Sequence, residues 1–294
     1  MSQAQIAAYA GCMDHDHAAA DASVADILDL DAEVVAHFLD ELTAWAAGHT
    51  KVPVRTIIDV GAGTGSGTLA LARRFETAEL IAIDRSPTML ERLRTAATTS
   101  AAAAATTSAA PSTIKSRLRT VQADLDTAWP PLTTTADLAW ASSSLHHVAD
   151  PDRVLADLHT ALNPGGLLVV VEMDAMPRFL PEQAHPGLEE RCRAIAARNG
   201  WNAWPNWTGH LERAGFTVVE QRVFDIDIRP APPAANAYAH RVLTGMRNRL
   251  AEQLSAGDIA ALDRLLDPGK EEFVLRRSDL VVRGARTAWA AHRG

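Results

Sequence analysis

The sequence predicts an α/β protein built on a doubly wound, mostly parallel sheet. Short apolar strands alternate with helical segments from Thr56 to Glu172, a glycine-rich turn follows the first strand, and the second and third strands run into acidic residues. The chain of 294 residues is long enough to bury a substantial core in one large domain or two small ones. Its 28 basic and 36 acidic side chains give a formal charge of −8, which argues against a non-specific nucleic-acid binder. Cys12 and Cys192 cannot build a disulfide framework, so a reducing cytoplasm is expected. There is no apolar run of the ~18 residues a bilayer span needs, and Met1 to Asp16 lacks a secretory pattern.

Residues Ala22 to Ala47 carry apolar positions at helical spacing, including Val24, Ile27, Leu28, Val34, Val35, Phe38, Leu39 and Leu42. They predict one or two amphipathic helices, with a break expected near Asp29–Asp31. Thr56 to Val60 reads as a buried parallel strand, Gly61 to Gly67 as its turn, and Thr68 to Phe75 as a helix. Leu80 to Ile83 is a second strand ending at Asp84, and Ser86 caps a helix that starts at Pro87 and reaches about Ala97. Thr98 to Thr113, almost only Ala, Thr and Ser, has little to bury and is expected to be a surface insertion. Further strands are expected at Leu118 to Ala123, Leu138 to Ala141 and Leu167 to Glu172, with a helix from Pro151 that closes at Asn163-Pro164-Gly165-Gly166. Gly209 to Ala214 is a short helix, Thr217 to Ile228 alternates as a strand or strand pair, Ala234 to Leu266 is helical, and Asp279 to Trp289 closes as a strand.

Open parallel sheets bind ligands where their strands end, which directs attention to Gly61-Ala62-Gly63-Thr64-Gly65. The dinucleotide fingerprint G-x-G-x-x-G fails in both registers: the sixth position is Ser66 counted from Gly61 and Thr68 counted from Gly63. Asp59 stands two residues before the turn, where it would repel a pyrophosphate but would suit a phosphate-free cation.

Asp59-Val60-Gly61-Ala62-Gly63-Thr64-Gly65 resembles motif I of class I S-adenosylmethionine-dependent methyltransferases. Asp84, Ala123-Asp124 and Leu162-Asn163-Pro164-Gly165-Gly166-Leu167-Leu168 resemble later signatures of that family, in order at successive strand ends. The resemblance covers about Arg55 to Asp174 and implies a Rossmann-like sheet of seven mostly parallel strands, with helical additions at the N-terminus and before the last strand. It does not reach Met1 to Thr50 or Pro230 to Ser278, which read as substrate-covering helices: a helical cap at 1–50, and an insertion at about 229–278 within a methyltransferase domain of 51–294. It further implies S-adenosylmethionine as cofactor, held by Asp59, Gly61, Ala62, Gly63 and Gly65. Asp84 would take the ribose hydroxyls, Arg85 and Met89 would flank the adenine, Ala123 and Asp124 would meet its amino group, and Ser142 would lie beneath the methionine portion.

Methyl transfer is an in-line displacement at an activated carbon, so positioning is the main task and a base helps only where the nucleophile carries a proton. His146 and His147 follow the fourth strand and titrate near neutral pH, so either is a candidate base; packing or loop hydrogen bonding is the competing reading. Ser143-Ser144-Leu145-His146 replaces the Asn/Asp-Pro-Pro-Tyr/Phe tetrad of amide methyltransferases, and Asp137 sits at the wrong end of its strand to hold Mg²⁺, so no metal is expected. Asp14-His15-Asp16-His17 reads as a solvated turn, Trp201, Trp204 and Trp207 as core or an aromatic subsite, and Arg241, Arg247 and Arg249 as a solvated face or contacts for an acidic substrate. The expected function is methyl transfer to oxygen, nitrogen or carbon of a small-molecule substrate, in specialised metabolism by family analogy, without nucleic-acid or membrane partners. The alternatives are a cofactor-binding scaffold, a non-methylating catalyst of the same fold, and, disfavoured by the broken fingerprint, a nicotinamide oxidoreductase.

Overall fold

The computed structural model describes residues 17–104, 113–201 and 206–294. Cys12, Asp14 to Asp16 and Trp204 lie outside them. The chain opens with α1 (His17–Val34) and α2 (Ala36–Gly48), then follows β1 (Thr56–Val60), α3 (Ser66–Arg74), β2 (Glu79–Asp84), α4 (Pro87–Ala104) and β3 (Leu118–Gln122). Next come β4 (Ala136–Ser142), α5 (Pro151–Ala161), β5 (Leu162–Met173), α6 (Leu188–Arg198), α7 (Thr208–Arg213) and β6 (Phe216–Ile228). The chain ends with α8 (Ala234–Arg249), α9 (Ala256–Leu266) and β7 (Val282–Arg293). No helix of the described residues is long and apolar enough to cross a membrane.

All seven strands form one sheet in the order β3-β2-β1-β4-β5-β7-β6. Strands β1 to β5 pair in parallel, while β7 runs antiparallel between β5 and β6. The order reverses between β1 and β4, so the turn after β1 lies at the switch point where such sheets bind ligands. Apolar side chains on alternate positions build two cores. Ile57, Leu138, Trp140, Val169 and Val171 pack on one face with α2 and α8, and Ile58, Ala139, Leu168, Val170 and Trp289 pack on the other with α5 and α7.

Several boundaries differ from the sequence reading. The N-terminal helices break at Val35, not near Asp29–Asp31, because those aspartates find arginine partners on neighbouring elements and stay within α1. Helix α4 continues to Ala104, past the expected Ala97, in keeping with the high helix propensity of alanine. Residues 105–112 of the presumed insertion lie outside the described residues. Asn163 to Gly166 does not end before β5 but forms an irregularity within it, the pairing shifting between Ala136 and Leu138. The span from Ala234 to Leu266 is split after Arg249, and β7 starts at Val282 and runs on to Arg293. Trp207 is fully buried in the core on the α5 and α7 face, so it packs. Arg241 and Arg247 pair with Asp26 and Asp263.

Arg117 is a buried fastener, 6% exposed, whose guanidinium donates to the carbonyls of Ala72, Phe75 and Ala78. It thereby satisfies the Ala72 carbonyl in the last turn of α3 and adds a donor to the carbonyls of Phe75 and Ala78 in the connection to β2. Arg117→Met should lower unfolding free energy in urea by about 2–4 kcal/mol, because the charge-assisted bonds are lost and the carbonyls remain buried.

Candidate cofactor and acceptor site

The site begins with the turn after β1. Gly61, Gly63 and Gly65 all hold left-handed backbone, with φ of 68°, 53° and 93°. At Gly61 space is also decisive: a β-carbon there would lie 2.4 Å from Cβ of Ser144. The N–H groups of Gly61 and Ala62 both donate to the carbonyl of Ile83, fastening the turn to the end of β2. Ala62 is buried against Ala82 and Leu93.

Asp84 finishes β2, half-buried, and accepts from the N–H of Gly63 and the N–H of Ser86, each at 2.8 Å. One carboxylate therefore holds the turn and the start of α4 together. Burial pushes its carboxyl up, opposed by those two N–H donors. Ser86 caps α4 as expected, accepting from Met89 N–H at 3.3 Å, and Met89 is buried while Arg85 is exposed.

Asp59 departs from the sequence reading. The resemblance places it at the cofactor, but its carboxylate lies beneath the turn, 3% exposed, accepting from the Thr68 hydroxyl at 2.5 Å. It supports the first turn of α3. Burial raises its carboxyl to about 7, against the lowering effect of Thr68 and with a further push from Asp84. Asp124 is exposed and accepts from the N–H of Asp126 at 3.0 Å, closing its own loop, with half-buried Ala123 donating to the Asp84 carbonyl.

Strand β4 ends at half-buried Ser142, and Ser143 follows in left-handed backbone with φ 51°, donating its N–H to Val171. The hydroxyls of Ser143 and Ser144, the indole N–H of Trp140 and Oε1 of Glu172 are buried without a hydrogen-bond partner among the described residues. Such groups are rare in finished interiors and mark where a polar ligand can be met. The histidine pair separates into two environments. His147 is exposed, its ring centroid 3.9 Å from that of His146. His146 places Nδ1 2.7 Å from Oε2 of Glu172, which is 3% exposed. The carboxylate fixes Nδ1 as the protonated nitrogen and leaves the Nε2 lone pair available as a base. Glu172 was not singled out from sequence; an acid closing a strand of uninterrupted apolar residues was the signal that could have found it.

Helix α1 lies over this edge. Leu28 reaches within 3.1 Å of the position a β-carbon on Gly63 would take, and Asp21 bonds the Ser86 hydroxyl at 2.5 Å. Asp137 sits at the opposite end of the sheet, accepting from the N–H groups of Arg55 and Thr56. No group of three or more His, Cys, Asp or Glu able to hold a metal occurs among the described residues.

Residues 58–170 match a family model described as a methyltransferase domain. The chain is 32% identical over 238 residues to a trans-aconitate 2-methyltransferase of Methylobacterium radiotolerans, covering 79% of each chain. It is 30% identical over 223 residues to a malonyl-[acyl-carrier protein] O-methyltransferase of Laribacter hongkongensis, covering 73% of this chain and 70% of that one. The solved structure of a candidate methyltransferase from Bacillus halodurans shares the fold, with a TM-score of 0.50 and 17% identity over 85% of this chain and 97% of that one.

The buried acid under the turn leaves a trace in stability. Asp59 holds its proton to about pH 7 in the folded state and only to its ordinary value of 3.8 when unfolded, so its ionisation costs folding free energy as pH rises between them. Relative to wild type, Asp59→Asn should therefore gain stability from pH 4 to pH 8, on the order of 2–4 kcal/mol. Parallel urea titrations across that range check it; a constant difference between the two proteins contradicts it.

Proposed function

This chain belongs to the class I S-adenosylmethionine-dependent methyltransferases and is an enzyme of methyl transfer; from that premise we propose that the turn after β1 and the acids around it hold the cofactor for transfer to a small-molecule acceptor. The observation that carries this reading is the donor set. The glycine turn is flanked by Asp59 and Asp84, and the buried hydroxyls of Ser143 and Ser144 beside it have no hydrogen-bond partner among the described residues. That chemistry suits a sulfonium and an ammonium and repels a pyrophosphate. When bound, S-adenosylmethionine supplies a methyl group on a positively charged sulfur.

On this reading Asp84 accepts the two ribose hydroxyls with the lone pairs its backbone donors leave free, and Gly61, Gly63 and Gly65 let the main chain approach closely. Ala62, within the turn, packs against Ala82 and Leu93. Arg85 and Met89 flank the adenine, Ala123 and Asp124 meet its amino group, and Ser142 lies under the methionine portion. Asp59 acts through Thr68 from below, a positioning role in place of direct contact. His146 serves as base for an acceptor that must lose a proton, with Glu172 aiming it, and His147 is assigned no proton transfer. We assign residues 1–50 as a cap and about 229–278 as a second cover, supported by the packing of α1 against α8. The first acceptor to assay is trans-aconitate, the acceptor in the name of the Methylobacterium relative. A cytoplasmic location fits this chemistry.

Two measurements test the reading. Asp84→Asn should weaken binding of S-adenosylhomocysteine by about 1–3 kcal/mol in calorimetry, and unchanged affinity would remove Asp84 from the site. His146→Ala should lower kcat about 10²–10⁴-fold for an acceptor that must be deprotonated, with a smaller loss for Glu172→Gln. Equal losses in stability and none in kcat would assign the pair to packing.

A further inference from the structure

A second polar cluster lies at the same edge of the sheet, on the other face. Met173 of β5 pairs with Arg286 of β7, just as Val171 pairs with both Ala288 and Ser142, so Arg286 lies two positions beyond the level of Ser142. It is two strands away, a lateral step of about 10 Å. The antiparallel course of β7 delivers this residue from near the C-terminus to the end where β1 and β4 finish.

Arg286 is 6% exposed, and its Nε has no hydrogen-bond partner among the described residues. Nη2 donates to both carboxylate oxygens of Asp31, at 2.7 and 2.6 Å, and the Tyr238 hydroxyl donates to the same carboxylate at 2.8 Å. Phe38 packs its ring 5.0 Å from the guanidinium. Arg286, Tyr238, Asp31 and Met173 line a narrow cavity together with Arg283. A guanidinium and a phenol converging on one carboxylate form a complete carboxylate receptor. Its present occupant comes from α1, the helix that covers the turn. Displacing α1 would leave Arg286 as a buried unpaired cation, a costly state that a carboxylate of the ligand relieves.

We propose that Arg286 and Tyr238 form the anchoring site for a carboxylate group of the methyl acceptor, and that Asp31 is an intramolecular stand-in which the acceptor displaces. This rests on the reading of the neighbouring edge as the cofactor site. The acceptor is then an organic acid with its anionic handle on Arg286 and its nucleophilic atom some 10 Å away, toward Ser142 and His146. The anchored carboxylate is distinct from the atom that receives the methyl group, so the anchor itself takes part in no bond change.

Calorimetric titration with trans-aconitate and with its trimethyl ester, each with and without saturating S-adenosylhomocysteine, tests the site. Wild type should bind the acid at least about tenfold more tightly than the ester. Asp31→Asn should bind the acid more tightly than wild type, by about three- to tenfold, because the competing carboxylate is gone. Arg286→Gln should lose about tenfold or more while S-adenosylhomocysteine affinity stays within about threefold of wild type. A purely structural ion pair predicts weaker acid binding in both variants, so weaker or unchanged binding by Asp31→Asn overturns the proposal. If Arg286→Gln fails to fold, Asp31→Asn and the acid-to-ester ratio in wild type still decide. Failure of wild type to bind S-adenosylhomocysteine overturns the cofactor reading, whereas its binding alongside equal affinities for acid and ester overturns the anchor alone.

Discussion

The hydrogen bonds that the Asp84 carboxylate accepts from Gly63 and Ser86 fix the turn after β1 against the start of α4. Each N–H belongs to a different connection: one to the turn leaving β1, the other to the start of α4. Without that carboxylate the turn would have to find another acceptor for a half-buried amide, and α4 would lose its register against the sheet. The turn in turn leaves room for Ser144 only because Gly61 lacks a side chain, so the β4 end is fixed by the β2 end through two residues of backbone. The ends of β1, β2 and β4 are thus tied together by direct contacts among Gly61, Gly63, Asp84 and Ser144.

What could be read from sequence was what neighbouring residues decide. Apolar runs gave β1, β2 and β5; Gly61 to Gly65 gave the turn; Ser86 and Pro87 gave the start of α4; and Asp84 was placed by its position after a strand. What escaped depended on distant partners. The pairing of His146 with Glu172 joins residues 26 apart, and Arg286 meets Asp31 across 255 positions. No spacing rule reaches that far. Asp59 shows a subtler limit, since sequence supplies an acid at the right place but not the direction of its side chain, which Thr68 determines. The helix break, at Val35 and not near Asp29–Asp31, escaped for the same reason: Asp29 and Asp31 are held inside α1 by Arg92 of α4 and Arg286 of β7.

The two proposed roles at this edge fall on opposite faces of the sheet. His146 and Glu172, the proposed base and its partner, lie on one face; Arg286 and Tyr238, the proposed anchor, lie on the other. Strand β5 contributes to both because successive side chains alternate sides, Glu172 facing one way and Met173 the other. An acceptor lying over the strand ends would therefore be gripped from one side and acted on from the other.

The two N-terminal helices are attached by unlike forces. Helix α2 buries Phe38, Leu39 and Leu42 in the main core, whereas much of the hold on α1 comes from Asp26 and Asp29 on Arg92, Asp26 on Arg241 and Asp31 on Arg286. Apolar attachment does not rest on Coulomb attraction, while the partly solvated pairs of Asp26 and Asp29 are individually weak and fade as counter-ions screen them; the buried Asp31–Arg286 pair is screened much less. With the junction at Val35 between them, added salt therefore bears more on how α1 is held than on how α2 is held.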